Sequence, residues 1–333
     1  MTAYIIRRLI FGAVLILLSS IVSFAVLKAS PGTAIAADFD PRMSAEYREQ
    51  QKRILGLDRH PVRQYLDWLG VTPPAGRDKP YGLLQGYLGS SIQYRQPVST
   101  LIKSRLPATI TLNIAALAVT WLVALPLGIY AAVKQYKWPD KLLSTISFAG
   151  MSLPGFFLAL VLLWLFASRW QVIPPGGLRD PIGHEGYTTW GKLVDYAHHL
   201  ILPVIVLAFG ALAELQRITR GNMLETLRMQ YVTTARAKGL DERKVIYKHA
   251  LRNAVNPLIT ILGFEFAALF GGAALLEMVI NYPGMGVLLL EALRSKDQPL
   301  VLSLFLIGSV MLVIGNLLSE ILLAFVDPRV SYA

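Results

Sequence analysis

Six long apolar stretches recur along the chain, at residues 9–27, 109–133, 142–167, 200–215, 257–280 and 300–326. About 20 apolar residues in a helix cross the roughly 30 Å hydrocarbon core of a bilayer. Inside that core the backbone must satisfy its own hydrogen bonds, which a helix does. The expected fold class is therefore all-α, a polytopic membrane helix bundle with six transmembrane helices. The fourth stretch is short and ends against Glu214. Composition agrees, because 54% of the 333 residues are apolar and only 16% are charged, against about 25% charged in an ordinary soluble domain.

The net charge of +11 would suit nucleic acid, but its placement gives it another meaning. If the first span starts inside, the N-terminus, residues 134–141, residues 216–256 and the C-terminal tail are cytoplasmic. These pieces carry 2, 3, 9 and 1 Lys or Arg, whereas the short external loops 168–199 and 281–299 carry 3 and 2. That asymmetry is the positive-inside pattern, and it predicts that both termini are cytoplasmic and that nucleic acid is not a partner. The other 12 cations lie in residues 28–106, a long translocated segment largely exempt from the rule. Arg7 and Arg8 before the first stretch, with Ala34, Ile35 and Ala36 after it, also fit a signal sequence. The apolar run exceeds the usual 7–15 residues of such a signal, and a retained span is expected.

Three regions follow: 1–27 with the first span, 28–106 as an external helical insertion, and 107–333 as the transmembrane core. In the insertion, Ser44 can cap a helix running to Gly56. Pro61 stands at a first helical position, Val62, Tyr65, Leu66 and Leu69 share a face, and Gly70 is a stop. Residues 168–199 contain Pro174, Pro175, Gly176 and Gly177 without clear periodicity and read as a loop. His198 and His199, adjacent and so about 100° apart on a helix, are expected to be solvated at the interface.

Several chemistries are missing. There is no cysteine, hence no disulfide or thiolate metal site. His184 and Glu185 begin an HExxH pattern, but position 188 is Thr. No GxxxxGK[ST] phosphate loop and no GxSxG elbow occurs, and no Asp lies inside an expected span. A non-enzymatic membrane protein is expected, without a cofactor or metal of its own.

Residues 216–256 hold nine Lys or Arg against three Asp or Glu, and read as two helices. The first passes through Leu224, Leu227, Tyr231 and Ala235 to Lys238 and stops at Gly239, which can take the left-handed conformation of a helix end. The second starts at Asp241 and Glu242, which suit a helix N-terminus, and closes near Arg252, which suits a C-terminus. Thr233, Thr234, Ala235 and Ala237 give the elbow a low profile. Docking another protein and lying at the lipid headgroups both fit these features.

Residues 231–240 (YVTTARAKGL), followed by 249–254 (HALRNA) and Pro257, resemble the EAA loop of ABC importer permeases. Similar agreement extends over 4–9 (YIIRRL), 55–58 (LGLD), 64–66 (QYL), 86–89 (GYLG), 106–109 (LPAT), 282–286 (YPGMG) and 327–329 (DPR). In this order they resemble the B-type permease subunit of dipeptide and oligopeptide transporters. Departures are Thr233 where the general loop begins with Glu, Thr33 in PGTA where PGDP is usual, and Tyr87 where GDLG has Asp.

The resemblance implies an inner-membrane permease of a bacterium or archaeon that forms part of a path for peptides. It implies a homologous second permease chain, an external solute-binding protein, and two ATPases that bind the ATP and Mg. It makes the ATPase-coupling residues Thr233, Thr234, Ala235, Arg236, Ala237, Lys238, Gly239, His249, Arg252 and Asn253. Nickel or another small solute is the alternative cargo. A proton-driven secondary transporter is the other alternative, but paired inverted repeats are not evident.

Charged residues within a span are costly and signal either function or pairing. Glu265 either faces the path and meets the amino group of a passing peptide, or is a hydrogen-bonded packing residue. Glu277, just before the YPG segment, is either on the path or an interfacial carboxylate reaching water. Gly271 and Gly272, with Ala273 and Ala274, permit close helix approach, and with Pro126 and Pro154 serve packing or gating.

Overall fold

In a computed structural model of the protein, the described residues are 2–29, 46, 49–50, 53, 56–76, 79, 81–268 and 273–326. In chain order they form α1 (Thr2–Ala29), α2 (Pro61–Leu69), α3 (Val98–Val133), α4 (Trp138–Ser152), α5 (Gly155–Leu162), α6 (Thr189–Leu227) and α7 (Gln230–Ala237). There follow α8 (Glu242–Lys244), α9 (Leu251–Ala254), α10 (Asn256–Ala268), α11 (Ala274–Val279), α12 (Met285–Arg294) and α13 (Gln298–Val326). Wide π-type turns prolong α5 over Leu163–Arg169 and join α8 to α9 over Val245–Ala250. The described residues hold no strand, only an isolated bridge between Ser90 and Pro97.

Two compact units result, Met1–Pro107 with Met285–Val313, and Ala108–Gly284 with Ile314–Ala333. In the first, α2 forms as its sequence dictates: Pro61 opens it, the His60 side chain accepts from Val62 N–H, and Gly70 ends it with φ 80°. Its Tyr65 hydroxyl lies 2.7 Å from Ser20 Oγ, and its ring meets Phe24 at 5.3 Å, which fixes α2 on α1. The expected helix from Ser44 to Gly56 lies largely outside the described residues. The core of this unit joins Val98, Leu101 and Ile102 of α3 to Leu288 and Ala292 of α12 and Leu300 and Val301 of α13. Buried Asp297 caps α13, accepting from Leu300 N–H at 3.3 Å, Ser91 Oγ at 2.5 Å and Gln93 N–H at 3.1 Å.

In the second unit α6 is the spine. Leu202 and Val206 pack with Leu112, Leu276 and Tyr282; Leu215 packs with Ala124 and Leu258; Met223 packs with Ile129 and Val245. Residues 200–215 are thus only the middle of a 39-residue helix, on the order of 58 Å long at 1.5 Å per residue. Residues 189–199, expected in a loop, and 216–227, expected in a separate loop helix, both belong to it. Neither junction, His198-His199-Leu200 or Leu215-Gln216-Arg217, holds a Gly or Pro, so nothing in the sequence stops the helix there.

The expected span 142–167 is two helices, α4 and α5 with its extension, bent by 101°. Proline supplies the reason. Leu153, preceding Pro154, is pushed to an extended conformation (ψ 121°), and Pro154 (ψ 132°) has no N–H to continue the ladder. Pro126 and Pro203 sit inside continuous helices.

Among the described residues four helices are long and apolar enough to cross a membrane, or five with the bent pair as one. The remaining stretch, 257–280, is helical in α10 and α11, and residues 269–272 between them lie outside the described set. Large apolar side chains face outward on α1, among them Ile6, Leu9, Ile10, Leu15 and Val22, and Leu122 of α3 is 75% exposed. Exposed apolar surface of that extent needs lipid or a partner.

Candidate functional site

The elbow after α6 is built by local backbone chemistry. Arg228 and Met229 N–H groups bond back to Glu225 and Thr226 carbonyls, 3.1 Å each, and Met229 then extends (ψ 147°) to restart the chain as α7. The single helix expected through Leu224, Leu227, Tyr231 and Ala235 is thereby divided, the first two residues on α6 and the last two on α7.

Val232 and Ala235 turn α7 inward, 0% and 6% exposed, onto Ile129, Met223, Val245 and Ala250. Thr233, Thr234, Arg236, Ala237, Lys238 and Gly239 are exposed. This corrects the sequence reading of Ala235 as part of an outward surface: its small side chain serves the protein's own core. Gly239 takes φ 72°, its N–H bonds Arg236 O at 2.9 Å, and a Cβ built on it would meet nothing within 4 Å.

Asp241 then accepts from Arg243 N–H at 3.1 Å and starts α8, as its charge suggests. Arg236 binds Glu242 through Nε at 3.2 Å and Nη2 at 2.7 Å. The Glu242 side chain holds the Arg236 guanidinium still more firmly protonated than usual. Asn253 Nδ2 donates to the Tyr231 hydroxyl at 2.6 Å, so α9 is tied to α7. His249 is half-buried and Arg252 exposed. Small exposed residues are thus held on a braced elbow beside exposed Met229, Tyr231, Leu240 and Tyr247, an apolar patch with a basic rim of the kind found at docking surfaces.

The residues expected on a path fare differently. Glu265 of α10 is half-buried and accepts from Trp121 Nε1 of α3 at 2.5 Å. It borders a shallow recess of about 130 Å³ with Asn113, Ala116, Leu117, Thr120, Leu207 and Ala211. Glu277 of α11 is fully buried and accepts from Ala273 N–H at 3.2 Å. Its carboxyl occupies the space a Cβ on Gly284 would need, so glycine is required there. Tyr282, also buried, donates its hydroxyl to Ala108 O at 2.9 Å. The reading of Glu277 as a carboxylate reaching water is thus corrected, because the segment from Tyr282 to Gly284 folds against it. Gly271 and Gly272 lie outside the described residues.

Two polar sites escaped the sequence reading. Asp140, 3% exposed, holds Arg220, so one cation of the basic loop is an internal partner. Asp195 Oδ2 pairs with His184 Nδ1 at 2.6 Å, and His199 Nδ1 pairs with the Asp195 backbone carbonyl at 2.9 Å and lies 3.0 Å from Oδ1, all three residues nearly buried, so His199 is packed inside rather than solvated. Backbone N–H groups of Ile182 and Gly183 hold the nearby Asp180 carboxyl below its ordinary range. These contacts, with Gly177 N–H on Ile280 O at 2.8 Å, tie the loop before α6 to its own unit.

Comparison with known sequences follows this geometry along its whole length. The family described as "Binding-protein-dependent transport system inner membrane component" matches residues 124–332. Its N-terminal counterpart, "Binding-prot-dependent transport system membrane comp, N-term", matches residues 1–113. The chain is 37% identical over 333 residues to the oligopeptide transport system permease protein AppB of Bacillus subtilis, covering 100% of both. It is 34% identical over 355 residues to the di/tripeptide transport system permease protein DppB of Pseudomonas aeruginosa, covering 100% of this chain and 99% of that one. To the dipeptide transport system permease protein DppB of Escherichia coli K12 it is 33% identical over 348 residues, with the same coverage.

Proposed function

The chain belongs to the family of binding-protein-dependent transport system inner-membrane components, and on that premise we propose that it is a permease subunit of a peptide-importing ABC transporter. Agreement over the full length with relatives named as oligopeptide and dipeptide permeases carries the reading. It favours peptides over nickel or another small solute. It also favours an ATP-driven machine over a proton-driven one.

Six spans cross the membrane, with both termini and the α7–α9 elbow in the cytoplasm and residues 28–106 outside. A homologous permease chain completes the path, a solute-binding protein delivers cargo from outside, and two ATPases holding ATP and Mg engage the elbow. Thr233, Thr234, Ala237, Lys238 and Gly239 form the contact, Arg252 and His249 flank it, and Arg236 and Asn253 brace it through Glu242 and Tyr231. Ala235 supports it from within. Closure of the ATPases pushes on this elbow, and α6, continuous from the elbow into the bundle, carries the displacement to the path, which includes Glu265 and the segment of Gly271 and Gly272. Glu277 braces the segment from Tyr282 to Gly284. The chain itself makes and breaks no covalent bond.

Reconstitution tests this directly. Vesicles holding this chain with its partner permease, ATPases and binding protein should accumulate labelled di- or oligopeptide only when ATP is supplied. Accumulation without ATPases, or none of any peptide, would refute it.

A further inference from the structure

Glu265 sits opposite a recess that offers it no cation. Its lining comes from three helices: Asn113, Ala116, Leu117 and Thr120 of α3, Leu207 and Ala211 of α6, and Glu265 of α10. No Lys, Arg or His is among them. Among the described residues the hydrogen-bond partner of the carboxyl group is the Trp121 indole, whose Nε1 lies 2.5 Å from Oε2. An indole has a donor and no charge, so it orients the carboxyl group without neutralising it. A carboxyl group half-buried beside apolar walls, bordering a space and with no cation among the described residues that line it, is arranged to receive a positive group.

The recess also limits what can enter. Its walls are mostly Ala and Leu, and at about 130 Å³ it takes the end of a chain rather than a whole peptide. Thr120, 2% exposed, adds a hydroxyl at the same border, and Asn113 an amide. A primary ammonium has three hydrogens to donate, and Glu265 with Thr120 and Asn113 presents oxygen acceptors.

Resting on the reading of this protein as a peptide permease, we propose that the Glu265 recess is a subsite for the free ammonium terminus of the transported peptide, with Trp121 as the residue that positions Glu265. The subsite distinguishes peptides by their amino end and leaves the rest of the cargo unread, because only the terminus reaches it.

The test uses the purified full chain in lipid nanodiscs and a tripeptide carrying a benzophenone on its second residue, with its amino terminus either free or acetylated. Ultraviolet light followed by peptide mapping locates the attachment. The free-amine probe should mark residues 113–121 and 207–211, and the acetylated probe should not. Glu265→Gln, which keeps shape and removes charge, should lower that labelling by about tenfold or more, and Trp121→Phe by about threefold. Glu265→Asp should restore part of it. Copurification with the partner permease and ATPases confirms that each variant folds. Equal labelling by both probes, labelling insensitive to Glu265→Gln, or no attachment in these segments would each overturn the subsite. ATP-driven uptake of the same free-amine peptide by the whole complex separates the two failures. Uptake without recess labelling would sink the subsite alone, whereas absence of uptake would sink the permease reading and the subsite with it.

Discussion

Arg220 holds Asp140 with two parallel hydrogen bonds, 2.5 Å from Nε to Oδ1 and 2.8 Å from Nη2 to Oδ2. Asp140 is in the first turn of α4, where a negative charge suits the helix dipole, and also accepts from Tyr136 N–H at 2.9 Å. Arg220 lies well along α6, one turn after Gln216, which itself bonds Ser147 of α4 at 2.7 Å. Together these bonds lock α4 to the α6 segment that leads to the elbow.

Removing one partner of such a pair leaves a charge without its counterpart, at roughly 3–5 kcal/mol for a fully buried pair. Arg220 is 24% exposed and water recovers part of that. Asp140→Asn should therefore destabilise the purified chain by about 3 kcal/mol, and Asp140→Ala with Arg220→Ala by less than the sum of the single changes. Thermal unfolding in nanodiscs of the parent, Asp140→Asn and the three Ala variants measures the loss and the coupling. Additive losses would show that the pair contributes nothing as a pair.

The proposed topology predicts which side each surface faces. The chain has no cysteine, so single cysteines at exposed Ser90 and Lys238 report cleanly. An impermeant thiol reagent applied to intact cells should label Ser90→Cys and leave Lys238→Cys untouched until the membrane is opened. The reverse pattern would invert the protein.

Where local chemistry decides, the sequence was a sound guide. Pro61 and Gly70 bracket α2, and Asp241 and Gly239 frame the elbow, because caps and left-handed residues act within a few positions. Long-range partners left no local trace. Arg220 looks like any loop cation until α6 brings it to Asp140, and Trp121 looks like an apolar span residue until it meets Glu265. Orientation was misjudged at Ala235 because small residues blur periodicity. Val232 and Ala235, spaced i and i+3, carried the signal for an inward face. Pro154 breaks its span whereas Pro126 and Pro203 sit inside continuous helices, so a proline in the sequence does not by itself mark a break.

Gly239 provides a backbone test. Its φ of 72° is costly for a residue with a branched Cβ, on the order of 1–2 kcal/mol, and the space around it is open. Gly239→Val should slow substrate-stimulated ATP hydrolysis by the reconstituted complex by changing the angle between α7 and α8, while Gly239→Asn, which tolerates this conformation, should remain close to the parent. Equal activity of Val and Asn variants would mean that the angle does not matter for coupling.

Ala235 and Ala237, two positions apart on α7, separate support from contact. Ala235 is 6% exposed against Met223, Val245 and Ala250, so Ala235→Trp overpacks a closed core, at about 1–3 kcal/mol or more. It should lower the unfolding temperature of the isolated chain before any partner is added. Ala237 is exposed, so Ala237→Trp should leave that temperature unchanged. Its indole instead stands on the surface proposed to meet the ATPases, and it should reduce their copurification and ATP-driven uptake. The two variants carry the same side chain on the same short helix, so differences in expression or insertion largely cancel between them. If Ala237→Trp binds the ATPases and supports uptake as the parent does, this face of α7 is not where force enters the permease.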